Sequence, residues 1–163
     1  MCSENTFDIA LQISRNLYQY YHADSAIISC CTQDVIQGGN IITLAVGKDP
    51  PVGELETFPI NILPTGIEVR MGEYSRTKVI PMEAGLGAIF LRPRENERLE
   101  LVVWGSDESG LRQAARLVPT LTGVGQADFV ILSKRAAWQG HAGALAMGFF
   151  DFEWRISERS FVS

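Results

Sequence analysis

The sequence predicts an α/β domain: a mixed sheet in two or three layers, with a parallel β–α–β unit over Leu99–Leu132 and an antiparallel hairpin at the sheet edge. Three observations carry that expectation. First, Leu99–Trp104 (LELVVW) has the composition of a strand, Gly105 breaks it, and Ser106 or Asp107 caps a helix whose apolar face is Leu111, Ala114, Ala115 and Val118. Pro119 ends that helix, Gly123 and Gly125 turn the chain, and Asp128–Leu132 (DFVIL) returns as a strand. A strand, a crossover helix and a second strand over about 35 residues make a right-handed parallel unit. Second, Ile67–Met71 and Thr77–Met82 alternate as strands joined through Gly72–Ser75. Third, 46% hydrophobic and 20% charged residues in a chain of 163 is a globular balance, enough to bury one core without a metal or disulfide.

The other elements follow in order. Thr6–His22 reads as a helix capped by Asn5 or Thr6, with Phe7, Ala10, Ile13, Leu17 and Tyr21 repeating at three and four. Of its tyrosines, Tyr21 is expected to pack inward while Tyr18 and Tyr20 stay half exposed. Ala26–Cys31 and Asn40–Gly47 are short apolar strands covered on both faces, the second set off by the Gly38-Gly39-Asn40 turn. Lys48–Pro64 holds four prolines in seventeen residues, and the lost amide donors make it a surface connection. Ala88–Arg92 and Leu99–Trp104 form a hairpin through the polar turn Pro93–Arg98. The whole chain, 1–163, reads as one domain in which 134–163 is a glycine- and aromatic-rich tail, packing on the core or on a partner. The run Ala142–Phe150 is too short for a membrane span. Asp151 and Glu153 share one face of an expected edge strand.

Composition excludes some functions. A net charge of −5 with scattered basic residues argues against a nucleic-acid surface; the densest group, Arg92, Arg94 and Arg98, is interleaved with Glu95 and Glu97. Cys2, Cys30 and Cys31 form no disulfide framework, and with neither a Cys-x-x-Cys pair nor a histidine cluster no metal or other cofactor is expected.

Gly105-Ser106-Asp107 lies where α/β folds bind anions, at a strand end facing a helix N-terminus. Asp107 and Glu108 already place negative charge at that positive end, so capping is the better explanation, and a ligand there would be cationic or hydroxyl-rich. A hydrolase triad of Ser106, Asp107 or Asp128, and His141 would need the sharp Gly-x-Ser-x-Gly turn, which is missing; His141 reads as a polar turn residue. Trp138 and Trp154 could form a platform on which a sugar stacks.

From Gly87 onward the chain resembles the C-terminal region of large fungal α/β-hydrolase-like proteins of the prolyl-oligopeptidase-like peptidase kind. The residues that carry the likeness are Gly87-Ala88-Ile89-Phe90-Leu91, the helix start Gly105-Ser106-Asp107-x-x-Gly110-Leu111, the turn Leu121-Thr122-Gly123-Val124, the strand Asp128-Phe129-Val130-Ile131, and the ending from Trp138 to Trp154. Arg15–Tyr21 and Asn40–Gly47 fit the same region, and Phe149-Phe150-Asp151 departs from the family's Phe-Trp-Asp. The resemblance implies a secreted parent whose catalytic serine lies in an upstream hydrolase domain, so no catalytic residue carries over. The expected function is a non-catalytic accessory domain that packs on a hydrolase domain or self-associates through an apolar patch. The alternatives are a small-molecule or carbohydrate-binding module and an independent hydrolase.

Overall fold

The hairpin at the centre of the molecule forms where the sequence expects it. In a computed structural model that describes residues 4–28, 39–47, 57–72, 76–118 and 126–163, β5 (Gly87–Arg94) and β6 (Arg98–Gly105) pair antiparallel from Gly87 opposite Gly105 to Arg94 opposite Arg98. The turn between them holds Asn96 and Glu97 at positive φ. Both edges of this hairpin are then used. The outer edge of β6 takes β1 (Ile41–Val46) in parallel, and that of β5 takes β7 (Phe129–Leu132) antiparallel. β8 (Ala144–Gly148) and β9 (Phe161–Val162) complete a six-stranded sheet in the order β1-β6-β5-β7-β8-β9.

This order overturns the expected parallel β–α–β unit over Leu99–Leu132 as a pair of neighbouring strands. Its helix is present as α2 (Glu108–Ala115), and β6 and β7 do run the same way, since each is antiparallel to β5. But β5 lies between them. Both edges of β6 are taken, by β5 and β1, and β7 pairs with the other edge of β5. The α/β class falls with it. The described residues are 40% strand and 24% helix, so the fold is β-rich.

The expected edge hairpin is also corrected. β3 (Gly66–Met71) and β4 (Arg76–Pro81) are antiparallel, but with β2 (Ile60–Leu63) they make a separate three-stranded sheet, β2-β3-β4. β2 arises inside the proline-rich stretch read as a connection. Ile60, Ile62, Ile67, Val69 and Ile80 of this sheet share a core with Ala88, Phe90, Val102, Trp104, Phe129 and Ile131 of the large one. The alternate residues Ile89, Val103, Val130 and Leu132 face the other way and pack against α2 and α1 (Glu4–Tyr21) through Leu111, Ala114, Ile9 and Ile13. Period-two alternation therefore builds three layers: small sheet, large sheet, helices. Trp104 is wholly buried in the first core, and its indole N–H donates to the Gly47 carbonyl at 2.9 Å.

α1 turns part of the expected face inward, Ile13 and Leu17, and adds Ile9 to it. Ile9 and Ile13 are buried with Leu17 packed beside them, whereas Phe7 and Tyr21 are about half exposed, as are Leu11, Tyr18 and Tyr20. Its first residue is Glu4, ahead of the expected caps Asn5 and Thr6. Ala26–Ile28 has no regular structure and is exposed, and β1 is a half-buried edge strand, not one covered on both faces. In the last thirty residues, α3 (Ala136–Gln139) and a single 3-10 turn, Gly140–Gly143, lead into β8. Asp151 accepts hydrogen bonds from the Glu153 and Arg155 amides at 2.8 and 2.9 Å, which makes a tight turn where an edge strand was expected. Cys2, Cys30, Cys31, Gly38, the turn residues Glu73–Ser75, and Pro119, Gly123 and Gly125 lie outside the described residues, as does most of Lys48–Pro64.

One polar cluster is built into the large sheet. Glu100, 1% exposed, faces Arg92 across the β5–β6 ladder and accepts from its Nε at 2.8 Å, from Arg94 at 3.0 Å, and from the Thr43 hydroxyl on β1. Burial pushes the Glu100 carboxyl up, but the hydrogen bonds from Arg92 and Thr43 and the nearby positive charge outweigh it. The net result lies below the ordinary value near 4.5. A depressed folded-state pKa gives stability that is present above the ordinary value and is lost as pH falls through the folded one. Removing one partner of a buried pair strands the other, so Glu100→Gln is expected to cost about 3 kcal/mol at neutral pH. The gap between wild type and variant should narrow on acidification towards pH 3, as read by thermal melts along a pH series.

Candidate functional site

The strand-to-helix turn Gly105-Ser106-Asp107 is fully engaged by its own chain. Asp107 sits extended, at φ −147°, and its Oδ1 accepts from the Gly110 amide at 2.9 Å, which caps α2. Its Oδ2 accepts from the Gly85 amide at 2.8 Å, in the loop that leads into β5. The Ser106 hydroxyl donates to the Glu83 carbonyl at 2.7 Å and accepts from the Leu86 amide at 3.1 Å. The Ser106 amide donates in turn to the Leu86 carbonyl at 2.8 Å.

This arrangement depends on two residues without a side chain. A Cβ on Gly105 would overlap the Leu111 amide nitrogen, and one on Gly110 would overlap the Leu86 carbonyl oxygen. Both glycines serve close backbone approach, letting the first turn of α2 press against the 83–87 loop. The anion cradle that the position suggests is absent in physical terms. The carboxylate occupies the helix's positive end, and both its oxygens are already used.

The other predicted residues are not brought to this turn. Trp138 is on α3, 67% exposed, and α3 packs through Ala136 on the helix side of the large sheet. Trp154 packs on the opposite core, its ring 5.8 Å from that of Phe150. The two tryptophans thus belong to different layers and form no shared platform. His141 lies in the 3-10 turn, beyond β7. Asp128 uses its carboxylate on the Phe150 amide at 2.9 Å. A triad drawn from Ser106, Asp107 or Asp128, and His141 has its hydroxyl and its acids committed elsewhere.

Three features escaped the sequence reading. The Glu100 cluster is one; its signal was present, because the expected hairpin places Arg92 opposite Glu100. Glu68 on β3 is a second. Hydrogen bonds from Asn61 and Arg70 hold its carboxyl below the usual range, on the outer side of the small sheet. The third is a shallow apolar depression of about 170 Å³ lined by Gln113, Arg116, Leu117, Leu132, Ala136, Ala137 and Gly140. Gln113 is 7% exposed, and its Oε1 has no hydrogen-bond partner among the described residues. Among the described residues, no group of three His, Cys, Asp or Glu side chains could hold a metal ion.

The chain is similar to a secreted protein of the fungus Arthroderma benhamiae described as uncharacterized: 44% identical over 166 residues, covering 99% of this chain and 18% of the relative. The chain therefore spans less than a fifth of that protein's length. No family model matches the chain, and no solved structure does. No helix among the described residues is long and apolar enough to cross a membrane.

The hydrogen bonds of the turn give a direct expectation. Ser106→Ala should lower stability by about 1–3 kcal/mol by leaving the Leu86 amide unpaired. Gly105→Ala should be worse, since the side chain meets backbone that cannot move aside. Urea denaturation of the two variants and the wild type measures both.

Proposed function

We propose that this chain is a non-catalytic accessory domain that docks on a hydrolase-like neighbour and contributes surface, not chemistry. The observation that carries the reading is the commitment of Ser106 and Asp107. The position where α/β enzymes place a nucleophile or an anion is filled here by hydrogen bonds that join α2 to the 83–87 loop. A hydroxyl that donates to a backbone carbonyl has its proton directed away from any general base.

The hydrolase neighbour comes from the resemblance of residues from Gly87 to Trp154. Two further observations support an interaction role. The relative joins a matching segment to a much longer secreted chain, and large apolar side chains of α1 and the C-terminal segment stand exposed, among them Phe7, Leu11, Trp138, Phe149 and Phe152.

A binding module for small molecules is the second reading, and one observation favours it: Gln113 Oε1, buried and without a partner among the described residues, beside an apolar depression. A ligand with one hydrogen-bond donor and a small apolar body would suit that pair.

Hydrolysis assays on generic ester and dipeptide substrates test the main reading. Wild type and Ser106→Ala are expected to show the same background rate. A Ser106-dependent rate would overturn it. A thermal-shift screen over sugars and small alcohols tests the second reading, where a ligand at a hundred times its Kd adds about 2.7 kcal/mol. The accessory reading predicts no shift.

A further inference from the structure

Helix α1 carries two apolar stripes, and among the described residues one is packed into a core. At about 100° per residue, Ile9 and Ile13 point one way, into the core. Phe7, Leu11 and Tyr18 fall within about 40° of one another on the opposite side. Phe7 and Leu11 are each 51% exposed and Tyr18 is 65% exposed. With Ser14 between them, the spacing along this outer stripe is four, three and four. That is the repeat of a helix seam that meets another helix. Ser14 is small, and its hydroxyl accepts from Ser25 at 2.8 Å, so its polar atom is satisfied within the chain.

We propose that this stripe is the contact surface of a symmetric dimer of this chain, in which two copies of α1 pack antiparallel. The proposal rests on reading the chain as an interaction domain and names its surface and occupant. Charge chooses both the occupant and the direction. Asp8 and Arg15 lie on the same flank of the stripe, seven residues apart, and neither makes an ion pair among the described residues. A two-fold axis between Leu11 and Ser14 brings Asp8 of each copy beside Arg15 of the other, twice. A parallel pairing sets each residue level with its own copy and makes no opposite-charge pair. The same axis packs Phe7 against Tyr18 and sets Leu11 level with Ser14 of the second copy, beside the Ser25 that bonds to it. The contact is modest. α1 is about 27 Å long, and three half-exposed side chains per copy put the buried area below the roughly 1,200 Å² of a stable interface. The dimer is therefore weak and concentration-dependent.

Sedimentation velocity on the full chain, from low micromolar to millimolar concentration, tests this. The mass is expected to rise from one copy towards two, and Leu11→Glu should abolish the rise without lowering the melting temperature, because Leu11 is outside both cores. Asp8→Arg alone should weaken association about tenfold, and Asp8→Arg with Arg15→Asp should restore it. A single-copy mass throughout, a dimer indifferent to Leu11→Glu, or no rescue by the double reversal would each overturn the pairing. Such a failure reads out in mass alone; failure of the accessory-domain reading reads out as Ser106-dependent turnover.

Discussion

Each oxygen of the Asp107 carboxylate holds one backbone amide, Gly110 in the first turn of α2 and Gly85 in the loop ahead of β5. Through these two bonds a single side chain ties together the end of β6, the start of β5 and the helix that covers them. The approach is possible only because Gly105 and Gly110 have no Cβ to separate the backbones. Once α2 is fixed there, Leu111 and Ala114 meet Ile89, Val103 and Val130, and that surface supplies the seat for Ile9 and Ile13 of α1. The helical layer is thus placed by the turn, and the opposite face of the same strands is left to receive the small sheet.

Much of this was legible, and the failures have physical causes. The β5–β6 hairpin, the cap at Asp107 and the strand Phe129–Leu132 are local features, set by turn residues, a capping carboxylate and an unbroken apolar run. Strand order is not local. It depends on which edges the other strands take, and nothing in DFVIL says that β1 takes the outer edge of β6. β2 was hidden by the prolines around it, although Ile60 and Ile62 alternate with Asn61 and Leu63 as a half-buried strand should. The inner face of α1 was legible only in part, at Ile13 and Leu17 and not at Phe7 or Tyr21, because the helix is apolar on two sides. Ile9, Ile13 and Leu17 and the line Phe7, Leu11, Tyr18 both satisfy helical spacing, and only the packed structure says which is covered.

The candidate site follows the same division. Capping as the reason for Asp107 could be argued from charge at a helix N-terminus, and the structure agrees. That Ser106 would be held from both sides, by Glu83 and Leu86, could not be foreseen, because it requires the 83–87 loop to fold over the turn. The Glu100 cluster belongs between these cases. The hairpin alone places Arg92 opposite Glu100, but its burial depends on the parallel pairing with β1, which also delivers Thr43.

The central claim is that the strand-to-helix turn is closed by internal hydrogen bonds and is thereby structural. Amide hydrogen exchange at Gly85 and Gly110 measures this most directly. In the wild type both amides should exchange as slowly as those of the β5–β6 ladder, and in Asp107→Ala both should lose protection together while β2–β4 keeps its own. Fast exchange at Gly85 and Gly110 in the wild type, at the rate of an open loop, would contradict it.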